Sequence, residues 1–474
     1  MGIVASASRE RLLGSSIPLV ASLALAVFAA VPAHAGIFGP PQNVGLPEGL
    51  LYVTAADLNG DGRLDAAVSP YSLDSAYVLL QNPDGAFGPP IVCPLTSTPR
   101  DVVFADITGD GLLDLLAALD GGAVSLNRGR GDGAFETLID LPAGIQPVAL
   151  AVGDLTNDGV SDLVAGNFAD GTVSVMRGLG GGAFAPRQDF PAGGDVSHVA
   201  LGDLDEDGRL DVVAANTSFI TVSVLLGNGD GTLQPMTQRS VGGDGMRVVI
   251  ADLNHDRHLD LAAANNLSFA SVLLGDGAGG FGPLTQYPVG FGTFSIATAD
   301  LDGDGHLDLA LANVMDNTVS VLLGRGDGTF LPRTDYPTGE GPIDVAIGDF
   351  TGDGRPDLLT ANFGGQQVSL LPNLSAPVSV ERLANTAFSA RAFPNPGTRR
   401  ILIQFTVPEA ALTSLRIFDV HGRLVEELAA ATLPAGAHTY EWRPRHGRGR
   451  APGIYVCRLT SGGRSVAFRI AVLE

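Results

Sequence analysis

Cysteine is almost absent. The 474 residues contain only Cys93 and Cys457, so no disulfide framework can hold the chain together. Nothing in the sequence brings these two together, and both are expected as buried free thiols. Aromatic residues make up only 6%, with a single Trp. Basic residues are scarce, 28 against 51 acids, for a net charge of −23. That balance excludes the basic footprint of a nucleic-acid binder and argues against binding to anionic lipid. Long apolar runs are lacking as well. The longest, at 17–31, is 15 residues, short of the ~20 needed to span a bilayer as a helix. It follows Arg9 and Arg11 and precedes Ala33-His34-Ala35, a small-x-small cleavage pattern. Residues 1–35 are therefore expected to be a signal peptide, with the mature start at Gly36 and a membrane anchor as the alternative. The mature chain then has no transmembrane span and lies outside the cell or on an outer-membrane surface.

Glycine, by contrast, is abundant at 63 residues, as expected for many tight turns between short strands. A repeat accounts for it. The segments at 57–65, 106–114, 154–162, 203–211, 252–260, 300–308 and 349–357 share the template Asp-x-x-x-Asp-x-x-x-Asp, with Gly at position 6 in six of the seven and starts 49, 48, 49, 49, 48 and 49 residues apart. Each unit holds four strand-like stretches bounded by Gly/Asp clusters, which is one propeller blade. Seven units predict an all-β, seven-bladed β-propeller over residues 36–374. The last unit lacks a fourth strand. Gly36-Ile37-Phe38-Gly39-Pro40-Pro41 matches Gly85-Ala86-Phe87-Gly88-Pro89-Pro90, so residues 37–46 are expected to complete it and close the ring. An open solenoid is the alternative.

Each acidic segment offers side-chain oxygens at positions 1, 3, 5 and 9, the ligand logic of an oxygen-rich loop for a hard cation. The candidate ligands are Asp57, Asn59, Asp61 and Asp65; Asp106, Thr108, Asp110 and Asp114; Asp154, Thr156, Asp158 and Asp162; Asp203, Asp205, Asp207 and Asp211; Asp252, Asn254, Asp256 and Asp260; Asp300, Asp302, Asp304 and Asp308; and Asp349, Thr351, Asp353 and Asp357. Up to seven structural Ca²⁺ ions are expected. Zinc prefers His and Cys, and Mg²⁺ sheds its water reluctantly. Carboxylates crowded into one turn repel each other unless a cation intervenes; metal-free Asx turns are the alternative. The fourth and sixth loops carry four carboxylates each. The fifth, with Arg257 where the others have Gly, is expected to be the most strained and the weakest site.

These loops, with turns such as Gly131-Asp132-Gly133-Ala134-Phe135 and Gly326-Asp327-Gly328-Thr329-Phe330, resemble the FG-GAP/VCBS repeat family, whose calcium-loop blades also build integrin α-subunits. The resemblance covers about residues 37–373 and implies a seven-bladed propeller with calcium on one face. It implies no single function, because such folds host lectins, adhesins, scaffolds and some polysaccharide lyases.

After a linker at 375–384 the composition changes. Over 385–474 the acidic loops stop, Arg becomes frequent, and strand patterns appear at 401–405, 415–419, 438–442, 453–459 and 466–470. They predict a small β-sandwich. Pro394-Asn395-Pro396, Phe418-Asp419-x-x-Gly422-Arg423 and Ala451-x-Gly453-Ile454-Tyr455 resemble the Ig-like domain of the flagellar hook-capping protein and the sorting domain of type IX secretion cargo. That resemblance implies a bacterial protein handed to a secretion machinery. An ordinary Ig-like accessory domain is the alternative.

The repeats diverge on the face opposite the acidic loops. Five residues before each loop stand Tyr52, Asp101, Ala149, His198, Arg247, Ser295 and Asp344, a mixed ring near the central channel. Connections between second and third strands add Tyr71, Phe168, Phe219, Phe269 and Phe363. Aromatic and polar groups on a rigid scaffold suit recognition of an extracellular glycan or protein, although such aromatics also cap core edges. Asn167, Asn216, Asn265, Asn313 and Asn362 are expected to stabilise turns. No nucleophile elbow, zinc motif or phosphate loop is present, so a binding or adhesion role is expected. A polysaccharide lyase or hydrolase using Tyr52, Asp101, His198, Arg247 and Asp344 as acid/base groups is the alternative, and a surface spacer is a third.

Overall fold

The computed structural model describes residues 36–375, 390–393, 401–407, 410–419, 423–434, 436–443, 453–461 and 464–472. The expected signal peptide, most of the linker, Pro394-Asn395-Pro396, Gly422 and Ala451 lie outside them.

Each acidic loop joins two antiparallel strands, and each such pair grows into a four-stranded sheet. We number the blades by their loops. In blade three, Pro147–Gly153, Asp162–Asn167, Thr172–Met176 and Gln188–Pro191 run from the axis outward. Seven sheets follow this plan. Each inner strand touches the inner strands of its two neighbours, and Leu50–Ala56 of blade one meets Pro342–Gly348 of blade seven. The ring is therefore closed, as the seven equal repeats predict. The seam is made as expected: Gln42–Gly45 pairs antiparallel with Gln367–Leu371 and supplies the outer strand of blade seven. Phe38 bridges Asn373, and the Ile37 amide donates to the Tyr336 hydroxyl at 2.8 Å.

The core is divided among the blade interfaces. Seven apolar clusters occur in the propeller, each formed by two adjacent blades. Second strands such as Asp260–Asn265 are buried at all six positions. They are rich in Ala, Val and Leu because a sheet packs against them on both faces. Six of the seven outer strands are four residues long, and that of blade two, Phe135–Pro142, is longer and starts straight after its Gly-rich turn. In blade four the strand is Thr237–Ser240 rather than a run from Thr232, because Leu233 turns back to bridge Gly227.

Among the described C-terminal residues, Ala390–Phe393, Ile401–Val407 and Gly436–Trp442 form one sheet. Leu424–Leu433, Ala411–Asp419, Gly453–Ser461 and Arg464–Val472 form another. Alternate residues of both sheets (Ile401, Ile403 and Phe405 from one, Leu415, Ile417 and Leu459 from the other) share one core with fully buried Trp442. This is the predicted sandwich, with two strands the pattern did not reveal. The segment 424–433 is rich in Ala and Glu, which favour helix, yet it pairs along Ala411–Asp419 because the apolar edge of that strand would otherwise lie open. Cys93 and Cys457 are both free and buried, and burial pushes their thiols up to about 11 and about 12.

Candidate cation loops and channel site

Local geometry is the same in all seven loops. The carboxylate at position 1 accepts the amide of position 6, as Asp57 does from Gly62 at 2.8 Å and Asp300 from Gly305 at 2.9 Å. The carboxylate at position 5 accepts the amide of position 7, as Asp158 does from Val160 at 2.8 Å. Position 6 is left-handed throughout, with φ between 82° and 89° at the six glycines and 78° at Arg257.

Position 9 differs from the rest. Asp65, Asp114, Asp162, Asp211, Asp260, Asp308 and Asp357 are all fully buried. Each spans two elements. In loop three, one oxygen of Asp162 accepts the Leu155 amide inside the loop at 2.8 Å, and the other accepts the Gly178 amide beyond the third strand at 2.7 Å. The last blade uses Thr351 and Asn373 in the same way. Burial raises the carboxyls of Asp65, Asp162, Asp211, Asp260, Asp308 and Asp357 above the ordinary carboxylate range, and neighbouring acids add to it. Asp211 is pushed up to about 6, and Asp308 to about 7.

The donor set fits a hard cation. Asp205 Oδ1 at position 3 of loop four and Asp252 Oδ1 at position 1 of loop five are buried without a hydrogen-bond partner. Asp203, Asp205 and Asp211 bring three carboxylate oxygens within 4.8 Å of one another, and so do Asp300, Asp302 and Asp304. Among the described residues these two groups belong to loops four and six, the two with four carboxylates. In other loops a cation is partly anticipated by arginine. Arg63 pairs with Asp61, Arg355 with Asp353, and Arg128 with Asp110 at 2.8 Å. Loop four has such a pair too, Arg209 with Asp207. These pairs lower the repulsion inside a loop; Arg63, Arg209 and Arg355 stand at position 7 of their loops, and Arg128 comes from the third strand of blade two.

At the other end of the inner strands a β-bulge precedes every ring residue, as between Val196 and His198 and between Pro342 and Asp344. The bulge frees an amide from the ladder. Two ring side chains, Asp101 and Asp344, take up such amides across a blade boundary, and His198, whose one lone pair faces Arg247, stands beside a third. Asp101 accepts from Leu150 at 2.8 Å, Asp344 from Val53 at 3.0 Å, and His198 Nδ1 lies 3.5 Å from the Val248 amide. Arg247 joins the ring across the channel. It pairs with Asp344, donates from Nε to His198 Nε2 at 3.1 Å, and lies over the Tyr52 ring at 5.4 Å. Ser295 also donates to Asp344. Ala149 is buried and brings no polar group.

Tyr52, Asp101, His198, Arg247, Ser295 and Asp344 thus converge beside a cavity of about 480 Å³ that His198 and Arg247 line. Burial pushes the Tyr52 phenol up to about 12 and the Asp101 carboxyl up to about 6. Burial, with Arg247 close by, holds His198 well below the usual histidine range, so the ring is neutral. Burial also works against the charge of Arg247, yet Asp344 and Asp101 keep its pKa above the ordinary value.

The same end of each blade carries the connections that diverge in sequence. The amide after the second strand donates to a carbonyl of the connection entering the inner strand, as Phe168 does to Gln146 and Phe363 to Gly341. Tyr71 (47% exposed), Phe219 (57%) and Phe363 (39%) stand out from these turns, and Phe168 and Phe269 are half-buried. Tyr71 and Phe363 meet edge to face at 5.2 Å across the blade one–seven boundary. Leu267 and Met315 are also exposed and lie in equivalent connections, while the exposed Ile145 and Phe291 lie in the connections that enter the inner strands of blades three and six. For Leu267 and Met315, each fifteen residues after its loop start, that position was the available signal. Asn167, Asn216, Asn313 and Asn362 are fully buried and donate to a serine of the third strand, as Asn167 does to Ser174 at 2.8 Å.

A closed ring of four-stranded blades, each with an acidic loop ending its inner strand, defines a repeat-built β-propeller. The chain belongs to the FG-GAP-like repeat family, whose model matches residues 57–117, 106–165, 158–214, 203–263, 252–311 and 300–360. Residues 391–472 match the secretion system C-terminal sorting domain, which marks the protein for export to the cell surface or the extracellular space. No helix among the described residues is long and apolar enough to cross a membrane. Of solved structures, BBS1N in complex with ARL6DN, soaked with lead, is similar at 15% identity and TM-score 0.52, covering 71% of this chain and 97% of that one. The mercury-soaked crystal of the same complex matches at 14% identity and TM-score 0.52, covering 72% and 98%. At such identities the likeness is one of fold. No curated protein matches the sequence.

Proposed function

We propose that this exported propeller binds an extracellular glycan or protein on the face opposite the acidic loops, and that Ca²⁺ in those loops stabilises the blades. The mature chain in this reading begins at Gly36, after removal of the signal peptide. The observation that carries the reading is the uneven placement of exposed apolar side chains. Tyr71, Ile145, Phe219, Leu267, Phe291, Met315 and Phe363 all stand on that one face, each more than a third exposed. Apolar groups gathered on one face of a soluble ring mark an interaction surface. The backbone beneath them is cross-bonded in every blade, so a ligand would meet a preformed surface and cost little ordering entropy.

The convergence of Tyr52, His198, Arg247 and Asp344 favours a second reading, a polysaccharide lyase or hydrolase. Their bonding argues against it. The His198 Nε2 lone pair is taken by Arg247, and the Arg247 guanidinium is spent on Asp344 and His198. A general base must be free to take a proton from substrate. We therefore assign the ring to structure and the surrounding face to binding.

The test is a glycan and protein-ligand array on the mature protein, with turnover assays on acidic polysaccharides. Binding abolished by Phe219→Ala plus Phe363→Ala, with the unfolding temperature unchanged, supports the reading. Turnover that is lost with Arg247→Ala in a folded protein overturns it in favour of the enzyme.

A further inference from the structure

Position 4 of every acidic loop is left-handed. In loops one, two, six and seven the residue is Gly60, Gly109, Gly303 or Gly352, with φ between 71° and 77°. In loops three, four and five the same backbone is held by Asn157 (φ 56°), Glu206 (φ 59°) and His255 (φ 62°). A side chain there costs roughly 1–2 kcal/mol relative to glycine. Each of the three reaches the following loop. Asn157 Nδ2 donates to the Gly208 carbonyl at 3.3 Å, and Glu206 pairs with His258. His255 Nε2 lies 2.9 Å from His306 Nδ1, with ring centroids 5.1 Å apart. The first two contacts are an ordinary hydrogen bond and an ion pair. The third sets two imidazole nitrogens face to face, with His255 exposed and His306 half-buried.

The geometry points to a late-transition-metal site between blades five and six, with His255 Nε2 and His306 Nδ1 as adjacent ligands and water completing the shell. Metal–imidazole bonds are ~2.0–2.1 Å long. At the observed nitrogen separation they subtend about 90° at the metal, the angle of a tetragonal Cu²⁺ or Ni²⁺ site. A tetrahedral zinc site would need its nitrogens ~3.3 Å apart. Binding requires no proton loss. Each neutral imidazole offers one lone pair, and its N–H moves to the nitrogen facing away, Nδ1 of His255 and Nε2 of His306. The site is separate in chemistry from the acidic loops, because Ca²⁺ takes oxygen donors and does not compete for imidazole. The negative surface around it raises the local cation concentration. An ion held here would tie loop five, whose Arg257 strains it, to loop six.

The experiment is a Cu²⁺ titration of the mature protein with calcium in large excess, so that oxygen sites are filled. Stoichiometry is read by calorimetry and ligation by electron paramagnetic resonance. One equivalent with coupling to two nitrogens is expected. That signal should be lost in His255→Gly, which installs the residue four other loops carry, and in His306→Arg, which installs the residue found at that position in loops one, four and seven. His258→Arg should keep it. Absence of the signal in the unaltered protein, or its persistence in both His255→Gly and His306→Arg, overturns the assignment. A melting curve for each variant shows that it is folded, and if His255→Gly fails to fold, His306→Arg decides.

Discussion

Arg257 holds a backbone that its six counterparts hold as glycine, and its φ of 78° lies outside the range that side chains adopt readily. Replacing it by glycine should stabilise the propeller by about 0.5–1 kcal/mol, the strain relieved less the entropy a glycine costs. Urea unfolding of Arg257→Gly checks this, and a loss of stability would contradict it. Asp101 permits a prediction about pH. Burial lifts its carboxyl to about 6, against an ordinary value near 3.9. The folded state therefore holds this proton more tightly than the unfolded state does. The stability involved is complete below pH ~4 and is lost as pH rises through about 6, roughly 2–3 kcal/mol in all. Asp101→Asn cannot titrate, so its stability should fall less between pH 4 and 6 than that of the unaltered chain, measured with calcium saturating. At this scale the loop acids were legible from spacing alone. The arginines that neutralise Asp61, Asp110, Asp207 and Asp353 were not, because Arg at position 7 of a turn, or Arg128 eighteen residues away from Asp110, does not announce which carboxylate it will meet.

Within one blade, the ninth-position aspartate joins loop to sheet. The sequence shows Asp162 only as one more oxygen donor of a cation loop. The fold shows both its oxygens already engaged by amides on two different segments. Removing it orphans buried donors, at about 2–4 kcal/mol for the two. Asp158 is exposed and receives one amide. In chelator, Asp162→Ala should therefore cost about 2–4 kcal/mol and Asp158→Ala under ~1 kcal/mol. Equal small losses would show that the clasp contributes nothing. Strand number and order followed from Gly/Asp punctuation, which bounds every inner and second strand. Outer-strand length did not, since it is set by the arch that returns Leu233 to Gly227 and its equivalents in other blades. Nor did the strand at Leu424–Leu433, where pairing partners outweigh local helix preference.

Over the whole molecule, closure rests on a short N-terminal strand in the last blade, and this was legible because Gly36–Pro41 repeats Gly85–Pro90. What could not be read along the chain was the convergence of Tyr52, His198, Arg247 and Asp344. They stand in four different blades, and only the curvature of the ring brings them together. The difference between faces likewise follows from topology, with the seven acidic loops at one end of the inner strands and the connections that carry Tyr71, Phe219 and Phe363 at the other. The central claim is that the acidic face is a set of cation sites stabilising the ring. The most direct test is the unfolding temperature of the mature protein in calcium and in chelator. A hundredfold excess of calcium over Kd should add about 2.7 kcal/mol for each filled site and raise the midpoint by several degrees. Identical midpoints in the two conditions, with no calcium bound by atomic emission, would contradict the account.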